Sequence, residues 1–469
     1  MSRLIVISNR VSPPKTEDGS GAQGGLAVAL AAALREYRGL WFGWSGNKTD
    51  KFTGQIEMQR AHGVTTATID LEEQDVDEYY NGYANRTLWP LFHYRIDLAE
   101  YDRSFGSGYE RVNERFAETI TPLIEPDDLI WVHDYHLIPL GQQLRDRGLK
   151  NRMGFFLHIP WPPSRLLVSL PYHERLVRTL LAYDVIGFQT EEWLESFCHY
   201  VERELDGTVD PDGTIHVGDR SVHAAAYPIG VDYKEFSETL ENETAHRSFD
   251  RLRKSAAGRR TIIGVDPLHY SKGAEGRLLG YRPFLEKHRE QHRQLFLLQI
   301  APPSRDEVAT YEVIREHLDE LSGRINGEFA DVDWVPIRYA NQGYRREELA
   351  GFYRAAEIAL ITPLRDGMNL GAKEYVAAQD PEDPGVLILS RFAGAALQLE
   401  DALLVNPYSK DEIADAIMKA IRMSKAERIR RWTSMIETVR TEDVVAWRDA
   451  FVSALESARP PVSSEPEHA

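Results

Sequence analysis

Short apolar runs alternate with helical patterns along almost the whole chain, and this alternation restricts the possible fold more than any other feature. Strands of a parallel sheet are buried on both faces and read as continuous apolar runs, and helices connect them. The sequence therefore predicts an α/β protein. The runs expected to form strands are Leu4–Ser8, Thr65–Leu71, Leu129–Asp134, Met153–Ile159, Asp184–Gln189, Thr261–Asp266, Leu295–Ile300, Asp333–Ile337, Ile358–Thr362, Val386–Ser390 and Leu403–Val405.

These strand candidates form two series, which predict two doubly wound domains. A chain of 469 residues is also too long for one compact core. The pattern dissolves after Gly230, so we expect domains over residues 1–232 and 233–440. Helical spacing through Glu412–Met423 and Arg428–Leu455 predicts a helical end, and Pro460-Pro461 stops it. The tail, 461–469, is expected to be disordered.

Charge and cysteine content exclude several classes of function. The chain has 55 Lys and Arg against 73 Asp and Glu, and its net charge of −18 would repel a nucleic-acid backbone. No apolar run is long enough to cross a membrane, and the N-terminus lacks a signal peptide pattern, so we expect a cytoplasmic protein. The single cysteine, Cys198, leaves no partner for an intrachain disulfide or a cysteine-based metal site.

A glycine-rich segment, Gly19–Gly25, follows the first strand candidate and precedes the apolar helix Leu26–Leu34. Glycines there would let backbone N–H groups approach a phosphate at a helix N-terminus. The segment also matches the GxGxxG pattern of dinucleotide sites, but ten residues separate it from the strand, and the next strand candidate lacks the usual terminal acid. A phosphate-facing loop, a mobile turn and a dinucleotide site therefore remain open interpretations.

A second segment, Thr362 to Glu374, follows a strand and opens a helix. The carboxylates of Asp366 and Glu374 suit the hydroxyls of a sugar or ribose, and the free N–H groups near Asn369 and Leu370 suit a diphosphate. Two acids at this spacing also occur on ordinary solvated helix faces. The strand–loop–helix setting favours a ligand site.

Polar side chains also follow two predicted strands of the first half, in His133-Asp134-Tyr135-His136 and in His158-Ile159-Pro160-Trp161. Open α/β sheets bind ligands at the carboxyl ends of their strands. The histidines could instead be hydrogen-bonded within the fold, and no HExxH spacing supports a metal site. Aromatic residues in Trp41–Trp44 and Tyr79–Arg95 could stack on a sugar ring or belong to the core.

Nine short motifs, taken together and in this order, resemble the trehalose-phosphate synthase family from residue 2 to about 455. They are Ser8-Asn9-Arg10, Gly24-Gly25-Leu26, Trp41–Gly46, Glu78–Asn81, Leu88–Pro90, Trp131–His136, Phe155–Pro160, Gly187–Thr190 and Thr362–Glu374. The resemblance implies two Rossmann-like domains facing a cleft, the GT-B arrangement, with a helix over 441–460 crossing back to the first domain. It implies a retaining glycosyltransferase that moves glucose from a nucleotide-glucose, foremost UDP-glucose, to glucose 6-phosphate, in trehalose biosynthesis and osmoprotection.

The resemblance also assigns roles by position. The acceptor site would consist of Arg10, Tyr80, Trp89, Asp134 and Arg305 in and around domain 1–232, with both arginines on the phosphate. The donor site, in domain 233–440 and the glycine-rich loop, would consist of Gly24, Gly25, Lys272, Tyr344, Asp366, Asn369, Leu370, Gly371, Ala372, Lys373 and Glu374. Glu374 would bind the ribose and Lys272 the diphosphate. The catalytic set would be His158, Lys272 and Asp366. No metal, cofactor, nucleic acid or membrane partner is implied, and a homo-oligomer is compatible with the family.

Three positions depart from the family pattern. Pro267 stands where the family has an arginine that pairs with Lys272 on the diphosphate, His269 replaces an aspartate, and Gly371 replaces a valine. These changes predict weaker catalysis or an altered donor, because a charge-assisted hydrogen bond is worth about 1.5–3 kcal/mol. Two alternatives therefore stay open: a synthase with another acceptor, such as glycerol 3-phosphate, or another nucleotide, and a weakened homologue that binds sugar phosphates. A nicotinamide oxidoreductase is the least favoured interpretation.

Overall fold

The computed structural model describes residues 3–11, 30, 34, 39–61, 64–303 and 309–458, which fall into two compact units. The first unit contains the described residues up to Pro228 and those from Trp447, and the second runs from Ile229 to Ala446. Each unit is built around its own sheet, and helices connect most of the parallel strands. The expected α/β class is confirmed.

The first unit contains a sheet of ten strands among the described residues, in the order β3-β4-β2-β1-β5-β6-β7-β10-β9-β8. The strands are β1 Leu4–Arg10, β2 Leu40–Thr49, β3 Glu57–Ala61, β4 Val64–Glu72, β5 Leu129–His133, β6 Met153–Phe156, β7 Val185–Phe188, β8 Thr208–Val209, β9 Thr214–Val217 and β10 Arg220–Ala226. The run from β4 to β10 is parallel, and β3, β9 and β8 pair antiparallel at the edges. The chain winds outward from β1 on one side and from β5 on the other. The β1/β5 boundary is therefore a topological switch point, where open α/β sheets bind ligands.

The helices of the first unit cover this sheet and hold its loops. They are α1 Glu73–Asp75, a π-helical segment Val76–Leu88, α2 Trp89–Phe92, α3 Arg103–Ile120, α4 Leu140–Asp146, α5 Ser164–Leu167, α6 His173–Leu180, α7 Glu191–Glu204 and, from Trp447 onward, the helix Val444–Ser457. Phe451 of that last helix stacks on Trp131 at 4.6 Å between ring centroids. A Cβ atom added to Gly154 in β6 or Gly187 in β7 would lie 2.6 or 2.9 Å from the Phe451 ring. Glycine is therefore required at both strand positions to seat that ring.

The second unit contains six described strands, all parallel, in the order β13-β12-β11-β14-β15-β16. The strands are β11 Arg260–Val265, β12 Leu295–Ile300, β13 Ile337–Ala340, β14 Ile358–Ile361, β15 Val386–Ser390 and β16 Leu403–Val405. This is the doubly wound order 3-2-1-4-5-6, and its switch point lies between β11 and β14.

Helices of ordinary length flank the second sheet. They are α8 Tyr233–Leu240, α9 Glu243–Ala256, α10 Ala274–Lys287, α11 Ala309–Phe329, α12 Arg346–Ala355, α13 Leu370–Ala378, α14 Lys410–Arg422, α15 Lys425–Thr441 and the first turn of α16 Val444–Ser457. Several begin at a capping side chain: Asp232, Asn242, Ser409 and Ser424 each accept a hydrogen bond from a backbone N–H of the first turn.

Two sequence predictions are wrong in detail. The strand expected over Asp333–Ile337 begins only at Ile337, because Pro336 has no N–H to give to a ladder and Trp334 folds back in a bridge to Asp331. The helix expected over Arg428–Leu455 is divided at Glu442, whose ψ of 52° is not helical. Strands β3 and β8 to β10 were not predicted, because their residues do not form long apolar runs.

Some predictions fall on residues outside the described ranges. Leu30 and Leu34 are helical, but the rest of Leu26–Leu34, the loop Gly19–Gly25 and the tail 461–469 are not described. Among the described residues, no helix has both the length and the apolar composition needed to cross a membrane.

Candidate functional site

In the first unit, the end of β1 presents Arg10 at the switch point. The Arg10 guanidinium lies 5.7 Å from the centre of the Trp44 ring, within range of a cation–π interaction. Gly46, at φ 94°, leaves room for it, since a Cβ there would lie 2.4 Å from an Arg10 nitrogen. Neighbouring Asn9 is buried and accepts a 2.8 Å hydrogen bond from the Tyr79 hydroxyl. The strand end is therefore fixed, while the Arg10 side chain stays exposed.

The end of β5 presents Asp134 beside β1. Asp134 has a φ of 76°, which turns the chain sharply out of the strand into the short turn Tyr135–Leu137. Its N–H donates to the Phe156 carbonyl at 2.8 Å, and its carboxylate accepts the His158 backbone N–H at 3.2 Å. A non-glycine residue in this region of φ is unusual and is held only by its surroundings. The two predicted motifs around Asp134 and His158 thus come together.

His158 and His133 form a buried imidazole pair. The His158 Nε2 atom lies 3.0 Å from His133 Nδ1, and the Gln189 side-chain amide donates to His158 Nδ1 at 3.4 Å. Burial lowers the pKa of His158 to about 3, and burial together with His158 lowers the pKa of His133 well below its ordinary value. His158 is therefore neutral near pH 7 and carries no positive charge into the site.

Tyr80 and Trp89 lie on the helical segments that follow β4. The Tyr80 ring stacks on His136 at 5.9 Å and meets Trp44 edge-on at 5.6 Å. Trp89 stacks on His93 at 4.2 Å and meets Tyr135 at 5.4 Å. Both rings are half-buried, so they pack against the fold and keep part of their surface accessible.

In the second unit, the residues after β11 form a tightly bonded turn. Buried Asp266 accepts a 2.6 Å hydrogen bond from fully buried Arg277. His269 Nδ1 accepts hydrogen bonds from the backbone N–H and the hydroxyl of Ser271, at 3.2 and 3.0 Å. Gly273 lies at φ 68°, where a Cβ would meet the Thr362 carbonyl oxygen at 2.1 Å. The turn and the loop after β14 are thereby held in contact.

Lys272 and Asp366, which are distant in sequence, meet across this contact. The Lys272 ammonium donates to the Asp366 carboxylate at 2.6 Å, and the Asn369 amide donates to the same oxygen at 3.0 Å. Asn369 is in the left-handed region, at φ 79°, and its carbonyl oxygen caps α13 through the Ala372 N–H. The result is a lysine beside a helix N-terminus, which is a favourable arrangement for an anion.

Glu374 lies one turn into α13. Its carboxylate is 3.8 Å from Arg346, which also pairs with Glu235. Burial raises the pKa of Glu374 to about 7, against the opposing effect of Arg346. The Glu374 carboxylate is therefore ready to exchange between its protonated and ionised forms near neutral pH.

In the rest of the predicted segment, the side chains are buried, small, apolar or bonded within the fold, so the backbone N–H groups are the main polar groups that it presents. Buried Lys373 donates to the Ile229 carbonyl at 2.7 Å, and burial lowers the pKa of Lys373 to about 7. Ala372 is buried, and Leu370 begins the helix. A Cβ on Gly371 would meet Asn369 and Tyr353 only at 3.5 Å, an ordinary contact distance.

Two other predicted residues lie at the surface of the second unit. Tyr344 packs edge-on against Phe352 at 5.1 Å, and its hydroxyl accepts from Gln342. Pro267 is exposed immediately after β11, so it leaves room for a longer side chain. Arg305, Gly24 and Gly25 lie outside the described residues.

Two arginines that hold acids of the second unit were not predicted from the sequence. Arg277 pairs with Asp266, and Arg346 lies beside Glu374. Both lie on helices, and nothing in their local spacing distinguishes them from surface arginines. Arg277 could have been found only by asking what neutralises Asp266, an acid at the end of a buried strand.

Comparison with known proteins covers both units. The model of glycosyltransferase family 20 matches residues 2–457. A trehalose-6-phosphate synthase of Sinorhizobium fredii is 47% identical over 458 residues, which cover 97% of this chain and 98% of that protein. A UDP-forming α,α-trehalose-phosphate synthase of Burkholderia xenovorans, solved with glucose-6-phosphate, is 48% identical with a TM-score of 0.93, covering 97% of this chain and 100% of that one. An Escherichia coli structure bound with UDP-2-fluoro glucose is 42% identical with a TM-score of 0.93, covering 98% and 100%.

Proposed function

The chain belongs to glycosyltransferase family 20, and from that membership we propose that it transfers glucose from UDP-glucose to glucose 6-phosphate, with retention of configuration, to give trehalose 6-phosphate. The observation that carries this proposal is the match over residues 2–457, which includes both units with their strand-end residues. UDP formation and glucose-6-phosphate binding are features of the relatives, and the polar groups at each switch point suit such ligands.

We assign acceptor binding to Arg10, Tyr80, Trp89 and Asp134 of the first unit, together with Arg305. A guanidinium binds phosphate oxygens in pairs, and Arg10 is exposed and backed by Trp44. The aromatic rings of Tyr80 and Trp89 offer accessible faces to a pyranose. Asp134 accepts from sugar hydroxyls, and neutral His158 lies directly beside it.

In the second unit, we assign donor binding to the residues around α13. Lys272 and the backbone N–H groups of Leu370 and Gly371 bind the diphosphate, with Asp366 and Asn369 holding the lysine in place. The N–H of Ala372 is already bonded to Asn369, so Ala372 contributes the position of the helix start. Glu374 accepts from the ribose hydroxyls. Tyr344 and the loop with Gly24 and Gly25 complete this proposed set.

Transfer breaks the bond between the sugar carbon and the diphosphate oxygen and forms a bond to the acceptor hydroxyl oxygen. Negative charge grows on the departing UDP, so donors fixed around it lower the barrier. Lys272 is such a donor, because its ammonium is already positioned by Asp366. The acceptor proton passes to the leaving phosphate oxygen, so no protein base is required. A cytoplasmic location and an osmoprotective role belong to the same proposal.

The direct test is nucleotide release from UDP-, GDP- and ADP-glucose by the purified chain, with and without glucose 6-phosphate. We expect release from UDP-glucose that depends on the acceptor. In Pro267→Arg we expect kcat/KM for the donor to rise about 10- to 150-fold, because the variant adds one charge-assisted hydrogen bond to the diphosphate.

Pro381→Arg is the matched control, since it makes the same change at another exposed proline of the second unit. Pro381 lies in the loop that precedes β15, away from the carboxyl ends of the strands. Nucleotide release at the same rate with and without glucose 6-phosphate would contradict glucose 6-phosphate as the acceptor. Wild-type inactivity rescued by Pro267→Arg alone would identify a weakened homologue.

A further inference from the structure

The first unit contains a cavity of about 810 Å³ away from the residues assigned to the acceptor. It lies between α3, α4 and α6, and none of Arg10, Tyr80, Trp89 or Asp134 lines it. Its size falls within the range of sites that bind small molecules. The activity proposed above does not use this cavity.

Four tyrosines line the cavity: Tyr83, Tyr101, Tyr109 and Tyr172. Tyr109 is buried and packs on Tyr83 at 4.5 Å between ring centroids. Tyr101 and Tyr172 lie at the opening, with 42% and 76% of their surface exposed. Two rings therefore form the floor and two form exposed walls, as suits a flat, partly apolar ligand.

Tyr172 is held in an unfavourable backbone conformation. Its φ of 61° and ψ of 28° are left-handed, a region that bulky residues avoid. Because the Tyr172 ring is exposed, it makes few contacts within the protein that would offset the free-energy cost of this conformation. Strain of this kind concentrates at ligand sites, where the side chain must point in one direction.

The charges around the cavity favour a neutral ligand. Three carboxylates, Asp102, Glu110 and Asp146, line it against two guanidinium groups, Arg103 and Arg175. Arg175 is already paired with Glu110 at 2.9 Å. The remaining excess of negative charge repels phosphate and nucleotide groups. The Gln142 amide donates to Asp146 at 2.7 Å, and Asp102 caps α3 through Ser104. The remaining oxygens and amide hydrogens of Glu110, Asp146, Gln142 and Gln143 offer hydrogen bonds to hydroxyl groups instead.

We propose that this cavity binds a neutral saccharide, with Tyr172 stacking on one sugar ring and Glu110, Asp146 and Gln142 accepting from or donating to its hydroxyls. Tyrosine faces surrounded by hydrogen-bonding groups suit a pyranose, which has an apolar face and a polar rim. The site is separate from the acceptor site and needs no phosphate.

The cavity floor is connected to the strand ends of the first unit. The Tyr109 hydroxyl donates to the Tyr135 carbonyl at 2.6 Å and accepts from the Ile138 N–H at 3.3 Å, so it braces the turn after Asp134. Tyr79, beside Tyr109 at 5.9 Å, bonds Asn9 next to Arg10. Occupancy of the cavity therefore changes the acceptor KM, a second consequence that rests on the proposed function.

The test is titration calorimetry of the full chain with trehalose, maltose and sucrose, in the presence of saturating UDP and glucose 6-phosphate to block the active site. We expect one of these neutral disaccharides to bind, and Tyr172→Gly to weaken its binding at least tenfold. Glycine adopts φ 61° freely, so this variant removes the ring and leaves the backbone conformation intact. Tyr408→Ala, which removes a 63% exposed tyrosine from the second unit, is the control and should bind as the wild type does.

Three outcomes would overturn the site: no disaccharide binding at millimolar concentration, equal binding by Tyr172→Gly, or Tyr172-dependent binding of a sugar phosphate instead. A change of sedimentation mass in Tyr172→Gly without saccharide binding would assign the cavity to a second copy of the chain. For the coupling, we expect the bound disaccharide to shift the KM for glucose 6-phosphate at least threefold in the wild type only. Disaccharide binding without that shift in KM would contradict the coupling but not the binding site. The calorimetry tests the binding site even if the chain has no synthase activity.

Discussion

The two units wind their central strands in the same order and use the same two strand ends, but they put opposite chemistry there. At the β1/β5 switch point of the first unit, Arg10 and Asp134 stand among aromatic rings and two histidines kept neutral by burial. At the β11/β14 switch point of the second, Asp266, Arg277, Lys272 and Asp366 form a network of charged hydrogen bonds. Topology thus fixes where the strand ends meet, and the few residues after each strand decide which charges and rings are presented there.

This difference corresponds to what each proposed substrate demands. A diphosphate that gains negative charge needs donors fixed before the reaction begins, and in the proposed donor site Asp366 holds Lys272 in this way. A sugar phosphate that enters as an acceptor needs one anion clamp and a surface complementary to a sugar ring. The second unit should therefore tolerate loss of a charge less well than the first.

The largest effect is expected for Lys272→Met. The change removes the ammonium that we assign to the diphosphate. Among the described residues, the Asn369 amide is then the side-chain donor left to the Asp366 carboxylate. We expect kcat to fall about 10²- to 10³-fold, as for loss of a fixed donor at a developing anion. Initial rates of UDP release measure it.

Lys287→Met is its control, because that lysine pairs with Asp411 on the surface of the same unit. A fall in kcat of less than tenfold for Lys272→Met would show that the helix N-terminus alone stabilises the leaving group.

A smaller effect is expected for Arg10→Lys in the first unit. Lysine keeps the charge but loses the paired donors that match phosphate oxygens. We expect KM for glucose 6-phosphate to rise about 10- to 150-fold, the equivalent of 1.5–3 kcal/mol, with little change in donor KM. Steady-state kinetics with each substrate varied in turn separate the two constants. An equal rise in donor KM would contradict the division of roles between the units.

Much of this comparison could be predicted from sequence, because strand ends are marked by abrupt changes from apolar to polar residues. Asp134 and Asp366 follow such changes, whereas Arg10 and Lys272 were predicted only through the resemblance to the family. The partners Arg277 and Arg346 could not be predicted, since they reach the site from helix positions through tertiary packing. The pairing of Lys272 with Asp366 was equally hidden, because it depends on the close approach of Gly273 to the Thr362 carbonyl.

For Lys373, the strand–loop–helix setting of its segment was predicted from the sequence, but the contact of its side chain was not. That side chain is buried and bonds a backbone carbonyl within the fold. Spacing along a helix indicates a face, but it does not say whether a long side chain reaches a ligand or a carbonyl such as that of Ile229.

Burial of Lys373 gives a pH-dependent prediction that contrasts it with His158. The folded-state pKa of Lys373 is about 7 and its ordinary value is 10.5, so the unfolded chain binds more protons between these limits. Its contribution to stability is therefore present at high pH and is lost as the pH falls towards 7. Relative to Lys373→Met, the wild type should gain about 2 kcal/mol of unfolding free energy between pH 7.5 and 9.

Urea unfolding of both proteins at the two pH values measures this gain. Groups common to both proteins cancel in the difference, including Glu374. A difference that stays constant with pH would mean that Lys373 is charged in the folded state. The same experiment on His158→Gln should show no such change, because a pKa of about 3 leaves that imidazole neutral throughout this range.

The smallest expected effect concerns His269, where the turn beside Lys272 departs from the family's aspartate. The imidazole Nδ1 accepts the two hydrogen bonds from Ser271 that a carboxylate would accept, so the turn needs an acceptor there rather than a charge. His269→Asn supplies an amide oxygen and should keep the unfolding free energy within about 0.5 kcal/mol, whereas His269→Ala should lose about 1 kcal/mol, as when a cap is removed. Equal losses in both variants, measured by urea unfolding, would show that packing of the ring and not capping maintains the turn.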